Sequence, residues 1–180
     1  MVSKLILGFG NPGDQYKNNR RNLGFHAIDY LSEALQIKYN YEKKKAIFGK
    51  KTENKIQVIL LKPQTFCNLS GEAVLYLAAF LKVQAKNILA IYDEPVLPPG
   101  QIEIFTENQR FQNGHSGLKS LSDSLKSDEY KKLAVGIGGI EQASSLEEYL
   151  LADFSSKEFK IVKNAFPKMC ELVKNFISDI

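Results

Sequence analysis

The chain has 180 residues, 44% of them hydrophobic and 24% charged, with a formal net charge of +4; that is a globular composition, long enough for a substantial core, and mildly open to an anionic partner. It excludes a membrane anchor by hydropathy, because no stretch nears the ~20 continuous apolar residues of a spanning helix. It also excludes a disulfide scaffold or a metal-ligand spacing, since only Cys67 and Cys170 are present, and the N-terminus MVSKLILGFG lacks a secretory signal pattern, so a reduced, cytoplasmic protein is expected.

Residues 4–9 read as a buried strand: short, apolar and stopped at glycine. Residues 14–21 are polar without an apolar period and read as loop. Phe25, Ile28, Leu31 and Leu35 then predict a helix that starts near Asn22. Residues 45–50 and 56–61 predict two strands around the polar turn TENK. A helix over 68–81 would turn Val74, Leu77, Ala78 and Leu81 inward. NILAIY (87–92) is a second buried strand with Asp93 at its C-terminal end. QIEIF (101–105) alternates as an edge strand does. Residues 115–125 predict a short helix entered through Gly114, and KLAVGIG (132–138) a further strand. A last helix is predicted over 156–178, with a kink at Pro167. Strands that alternate with helices imply one α/β domain over residues 1–180, a three-layer sandwich with a mostly parallel twisted central sheet flanked by helices. The run EKKKAIFGKK (42–51) reads first as a solvated hairpin; phosphate contact by Lys43, Lys44, Lys45, Lys50 and Lys51 is the alternative.

Gly8, Gly10 and Gly13 have the G-x-G-x-x-G spacing of a dinucleotide site. Such a site needs a helix to begin at the second or third glycine, so that the pyrophosphate caps it. Here eight polar residues follow Gly13. The acidic residue expected to hold a ribose would be Asp29 or Glu33, both on the predicted helix. The other reading is a tight turn at a strand end that points Asn11 into a ligand crevice. Asn11 could also simply close that turn on its own backbone.

Beyond the turn, a series of motifs runs in order: G-x-x-N-P-G-x-x-Y (Gly8 to Tyr16), R-x-N-x-G-F (Arg20 to Phe25), LLKPQTFCNLSGEAV, DEPVLPPG, GHSGLKSL and EYLLADFS. Together they resemble the bacterial-type peptidyl-tRNA hydrolase family over about residues 4 to 178. The resemblance implies hydrolysis of the ester between a peptide and the 3′ ribose of tRNA, without metal or cofactor, in the rescue of stalled translation. It implies the tRNA acceptor end as partner, and a monomer is expected. Asn11 and Asn68 match the family's positioning asparagines. Tyr16 matches the tyrosine beside the tRNA terminus, and Asp93 the aspartate that orients the general base. His115 matches a histidine that opens a helix beside the cleft. Cys67 stands where methionine is usual, and Ser116 where asparagine is.

Arg21 occupies the position of the family's general-base histidine. A guanidinium offers donors and no lone pair, so it cannot activate water. The loss of a general base costs ~10²–10⁴ in rate. Glu103 or a neighbour stands where an edge-strand lysine is common, and Ala134 replaces a strand arginine; both changes weaken phosphate contacts. Two readings follow. One is an impaired esterase in which Arg21 stabilises charge and Asp93 and His115 handle protons; Asn11 and Asn68 then position the substrate. The other is an inactive relative that binds a tRNA acceptor end, a peptide or a protein. Asp93, without its histidine, is expected to pair with Arg21. His26, on the first helix, and His115 are the substitute bases to consider. Cys67 reads as a small buried apolar residue rather than a nucleophile.

Overall fold

Strand β1 (Val2–Gly8) runs through the middle of the sheet in the computed structural model, which describes residues 1–106, 114–139, 141 and 143–179. Its Leu5, Ile6 and Leu7 are all fully buried, as a parallel strand covered on both faces requires. It pairs in parallel with β4 (Ile56–Pro63) on one side and β5 (Ile88–Glu94) on the other. Strand β5 pairs in parallel with β7 (Lys131–Gly136). Outside these four strands the direction reverses. Strands β2 (Tyr41–Lys43) and β3 (Ala46–Glu53) extend the β4 side antiparallel, and β6 (Ile102–Phe105) closes the β7 side antiparallel. The order is β2-β3-β4-β1-β5-β7-β6. Three of the six pairings are therefore parallel, and "mostly parallel" is corrected to a parallel centre with antiparallel edges. The cause on the β2–β3–β4 side is connection length. Lys44-Lys45 and Asn54-Lys55 are two-residue turns, which join only antiparallel strands.

The side chains of the central strands alternate between two cores. Ile6, Leu60, Leu89, Ile91, Leu133 and Val135 meet α1 (Leu23–Leu35) and α6 (Phe166–Ser178). Leu5, Leu7, Ile59, Leu61, Ala90 and Ala134 meet α2 (Ser70–Phe80) and α3 (Ser116–Leu125) on the opposite face. The three layers follow from that alternation. Helix α1 begins at Leu23, beside the expected Asn22, and α2 begins two residues later than expected, after a tight turn at Cys67–Leu69. Two short elements were not foreseen: β2, and α4 (Leu146–Leu151), capped by Ser145. The expected single C-terminal helix is two, α5 (Ser156–Asn164) and α6. Pro167 lies in the first turn of α6, where its missing N–H costs nothing, so it starts a helix instead of kinking one.

The glycine spacing serves packing. A Cβ on Gly8 would overlap the Gly24 carbonyl, and one on Gly24 would overlap the Phe9 backbone. The end of β1 and the start of α1 thus approach backbone to backbone. That approach brings the loop after β1 against residues 20–22. No helix follows Gly13, only a single turn at Asp14–Tyr16, so the dinucleotide arrangement is not formed.

Candidate active site

The parallel strands deliver their C-terminal ends to one side of the sheet, and a cleft of about 560 Å³ opens there. Its wall includes Asn11 after β1, Phe66, Cys67 and Asn68 after β4, Tyr16, Arg21 and Ser116. Leu146, Leu150 and Leu151 of α4 close the other side. Of the residues singled out from sequence, Asn11, Tyr16, Arg21, Cys67, Asn68 and Ser116 thus share one cleft wall, and Asp93 and His115 lie behind Arg21.

Asp93 is fully buried on β5. Arg21 places Nη1 3.0 Å from its Oδ2 and donates to its Oδ1 at 3.3 Å. His115 places Nε2 3.1 Å from the same Oδ1. The other ring nitrogen of His115, Nδ1, accepts the Leu118 backbone N–H at 3.3 Å, because His115 is the N-cap of α3. Those two bonds fix the tautomer: Nε2–H donates to Asp93 and Nδ1 is an acceptor already used. The ring also packs between Phe9 and Tyr92, with centroids 5.2 and 5.1 Å away. Burial pushes its pKa down against the pull of Asp93, and Arg21 pushes the same way. His115 is thus neutral and has no free lone pair. Asp93 Oδ1 thus takes both neighbours, while Oδ2 makes no hydrogen bond and is held by the Arg21 charge alone.

Asn11 is held from three directions. Its backbone N–H donates to Asn22 Oδ1 and its carbonyl accepts from Asn22 Nδ2, each at 2.9 Å. Its own Oδ1 accepts the Cys67 N–H at 2.8 Å, so the Nδ2 amide is the donor it can offer the cleft. Asn68 is exposed on the same rim. Tyr16 meets Phe66 edge to face at 6.1 Å and extends the rim as an aromatic ledge. Cys67 is buried, and burial lifts its thiol to about 11, so it supplies no thiolate near neutral pH. Ser116 hydrogen-bonds that thiol. His26 is elsewhere: its Nε2 lies 2.8 Å from the Lys17 carbonyl and its ring packs on Phe159. Among the described residues no group of three or more His, Cys, Asp or Glu could hold a metal ion.

Sequence reasoning passed over two residues that build this cleft. Asn22 clamps Asn11, and Arg20 holds α4 through the Tyr149 and Ala152 carbonyls and Glu158. Both lie in the R-x-N-x-G motif that carried the resemblance. The signal was present; the role of Arg20 depends on contacts more than a hundred residues away, and that of Asn22 on a turn eleven residues before it.

The model of the family described as peptidyl-tRNA hydrolase matches residues 5–180. The peptidyl-tRNA hydrolase of Clostridium botulinum is 36% identical over 173 residues, covering 96% of this chain and 88% of that protein. That of Lachnoclostridium phytofermentans is 37% identical over 175 residues, covering 97% and 91%. The crystal structure of peptidyl-tRNA hydrolase from Acinetobacter baumannii superposes with a TM-score of 0.86 at 27% identity, covering 98% of this chain and 89% of the other.

Proposed function

The chain belongs to the peptidyl-tRNA hydrolase family, and we propose that its cleft takes the acceptor end of peptidyl-tRNA and hydrolyses the peptide ester slowly, with no side chain as general base. The observation that carries this reading is the set Arg21, Asp93 and His115, in which both ring nitrogens of His115 are engaged and the buried Asp93 carboxylate is paired with a guanidinium. Water must then attack without help. What remains is charge stabilisation: Arg21 lines the cleft, and the Asn11 and Asn68 amides flank it. Donors fixed in place before reaction stabilise a developing oxyanion without reorganising, which suits an ester that is already activated. Tyr16 and Phe66 would support the terminal adenine by ring contact. On this reading the reaction needs no cofactor, and the protein acts as a single chain in the cytoplasm. No described helix is long and apolar enough to cross a membrane.

A binding module without turnover is the second reading. It is favoured by the guanidinium of Arg21, which uses Nη1 on Asp93 and keeps other donors for a carboxylate or phosphate in the cleft.

Single-turnover cleavage of a labelled N-acetyl-aminoacyl-tRNA at low salt tests both. The expected result is cleavage above the uncatalysed background, its loss in Asn68→Ala, and a gain of ~10²–10⁴ in Arg21→His. Binding without cleavage establishes the module. Neither binding nor cleavage overturns both readings.

A further inference from the structure

Positive charge in this chain is concentrated in one place. Residues 38–55, which span β2 and β3, hold seven lysines against two glutamates, a net +5. With +4 overall, the rest of the chain is left at −1. Beside this hairpin lies the outer face of α2, which should be polar on an ordinary surface helix. It instead exposes Tyr76 at 36% and Phe80 at 54%, while the hairpin exposes Tyr41 at 44%. The two elements form one surface. Lys43 Nζ lies 3.7 Å from the Phe80 ring centroid, Lys44 5.7 Å from Tyr76, and Lys50 5.1 Å from Tyr41. The Tyr76 and Phe80 rings are parallel to within 4°. Lys44 and Lys45 also hold the two-residue turn at φ 47° and 60°, a left-handed pair that favours Asn-Gly. Lysine occupies both tip positions, as it does the left-handed positions 55, 82 and 126.

We propose that the β2–β3 hairpin and α2 form an RNA-docking surface separate from the cleft: Lys43, Lys44 and Lys50 take phosphates, and unpaired bases stack on Tyr41, Tyr76 and Phe80. Lysines lying over exposed rings are the chemistry of a single-stranded polynucleotide: its phosphates draw the ammonium groups off Phe80, Tyr76 and the one face of Tyr41 not stacked on Phe48, and its bases take their places. An acidic peptide would use the lysines and leave the rings idle. The choice of RNA over DNA rests on the peptidyl-tRNA reading above; the surface itself does not. Phe80 lies ten residues along α2 from Ser70, about 15 Å from the cleft-lining turn at 1.5 Å per residue.

The test is anisotropy of a 5′-labelled 12-nucleotide RNA lacking a CCA end, with the DNA of the same sequence alongside, titrated with the full chain between 50 and 300 mM KCl. Both are expected to bind, since stacking and phosphate contact do not read the 2′-hydroxyl. The triple variant Lys43→Gln, Lys44→Gln, Lys50→Gln should lose at least about 10-fold in affinity, and its slope of log K against log salt should fall by about 2, from three lost contacts. The double variant Tyr76→Ser, Phe80→Ser should also lose about 10-fold, with unchanged binding to heparin, which cannot stack. Asn68→Ala should bind as wild type. All changes are at exposed side chains except Lys43, which is half-buried, and circular dichroism confirms folding. No binding, insensitivity to both surface variants, or loss in Asn68→Ala overturns the proposal. Peptidyl-tRNA cleavage that persists when the RNA does not bind sinks this surface alone and leaves the cleft reading standing.

Discussion

Arg21 and Asp93 form a buried ion pair at the back of the cleft, with Nη1 3.0 Å from Oδ2 and the carboxylate wholly enclosed. In such a place the pair is held less by net attraction than by the cost of leaving either charge alone. Asp93→Asn strands the guanidinium; Arg21→Met strands the carboxylate with only His115 beside it. Each single variant should lose about 3–5 kcal/mol. For a chain of this length that is a fall in Tm of roughly 6–20 °C. The double variant, which removes both charges, should recover most of the loss. Thermal unfolding of the four proteins gives the coupling directly. Additive losses would show that the pair is not coupled.

His115 makes stability depend on pH, and the sign follows from its surroundings. Burial holds its folded pKa below the ordinary histidine value of about 6.5. The unfolded chain therefore takes up the proton first. Stability is complete above about pH 6.5 and declines as pH falls below it. His26 is shifted in the same direction, also first by burial. Each histidine adds at most about 1.4 kcal/mol per pH unit to the decline. Urea unfolding at pH 8, 6.5, 5.5 and 5 measures it. His115→Asn keeps an N-cap acceptor for Leu118 N–H and cannot titrate, while its shorter amide gives up the Nε2 contact to Asp93. It should be folded and should have a shallower slope between pH 6.5 and 5. An unchanged slope would place the titration entirely elsewhere.

What could be read from the sequence is what local chemistry decides. The apolar runs ending at Gly8 and Asp93 are buried strands because no other element buries both faces in so few residues. Arg21 is expected from the sequence to pair with Asp93, and it does. The rest turns on distant contacts. Three residues of β2 carry no period, and α4 is a helix only because Ser145 caps it and Arg20 holds it. Both nitrogens of His115 are engaged because α3 starts where it does; a helix boundary wrong by one residue would leave Nδ1 free. The clamp of Asn22 on Asn11 needs the backbone contact between Gly8 and Gly24, which no spacing rule states.

Arg20 is the residue whose removal should damage the cleft without touching its chemistry. Its Nη1 donates to the carbonyls of Tyr149 and Ala152 at 3.2 and 3.3 Å, and its Nη2 to Glu158 Oε1 at 2.8 Å. The guanidinium lies 4.3 Å over the Tyr149 ring. Its backbone N–H bonds Ala152 O at 3.1 Å, and next to it Asn19 Nδ2 donates to Asp153 at 2.6 Å. One planar fork thus satisfies the last carbonyls of α4, whose Leu146, Leu150 and Leu151 form a cleft wall. A lysine has one point charge and cannot reach both carbonyls and the carboxylate while stacked on a ring. Arg20→Lys should lower global stability by about 1–3 kcal/mol. Its mark should be local: amide exchange of residues 146–152 faster by about 10- to 100-fold, with β1 and β5 nearly unchanged. The loosened wall should weaken acceptor-end binding and leave the single-turnover rate at saturating tRNA close to wild type. Hydrogen exchange and a KM-against-kcat comparison measure the two halves. A uniform rise in exchange across the whole chain would make Arg20 a general stabiliser, with no special hold on α4.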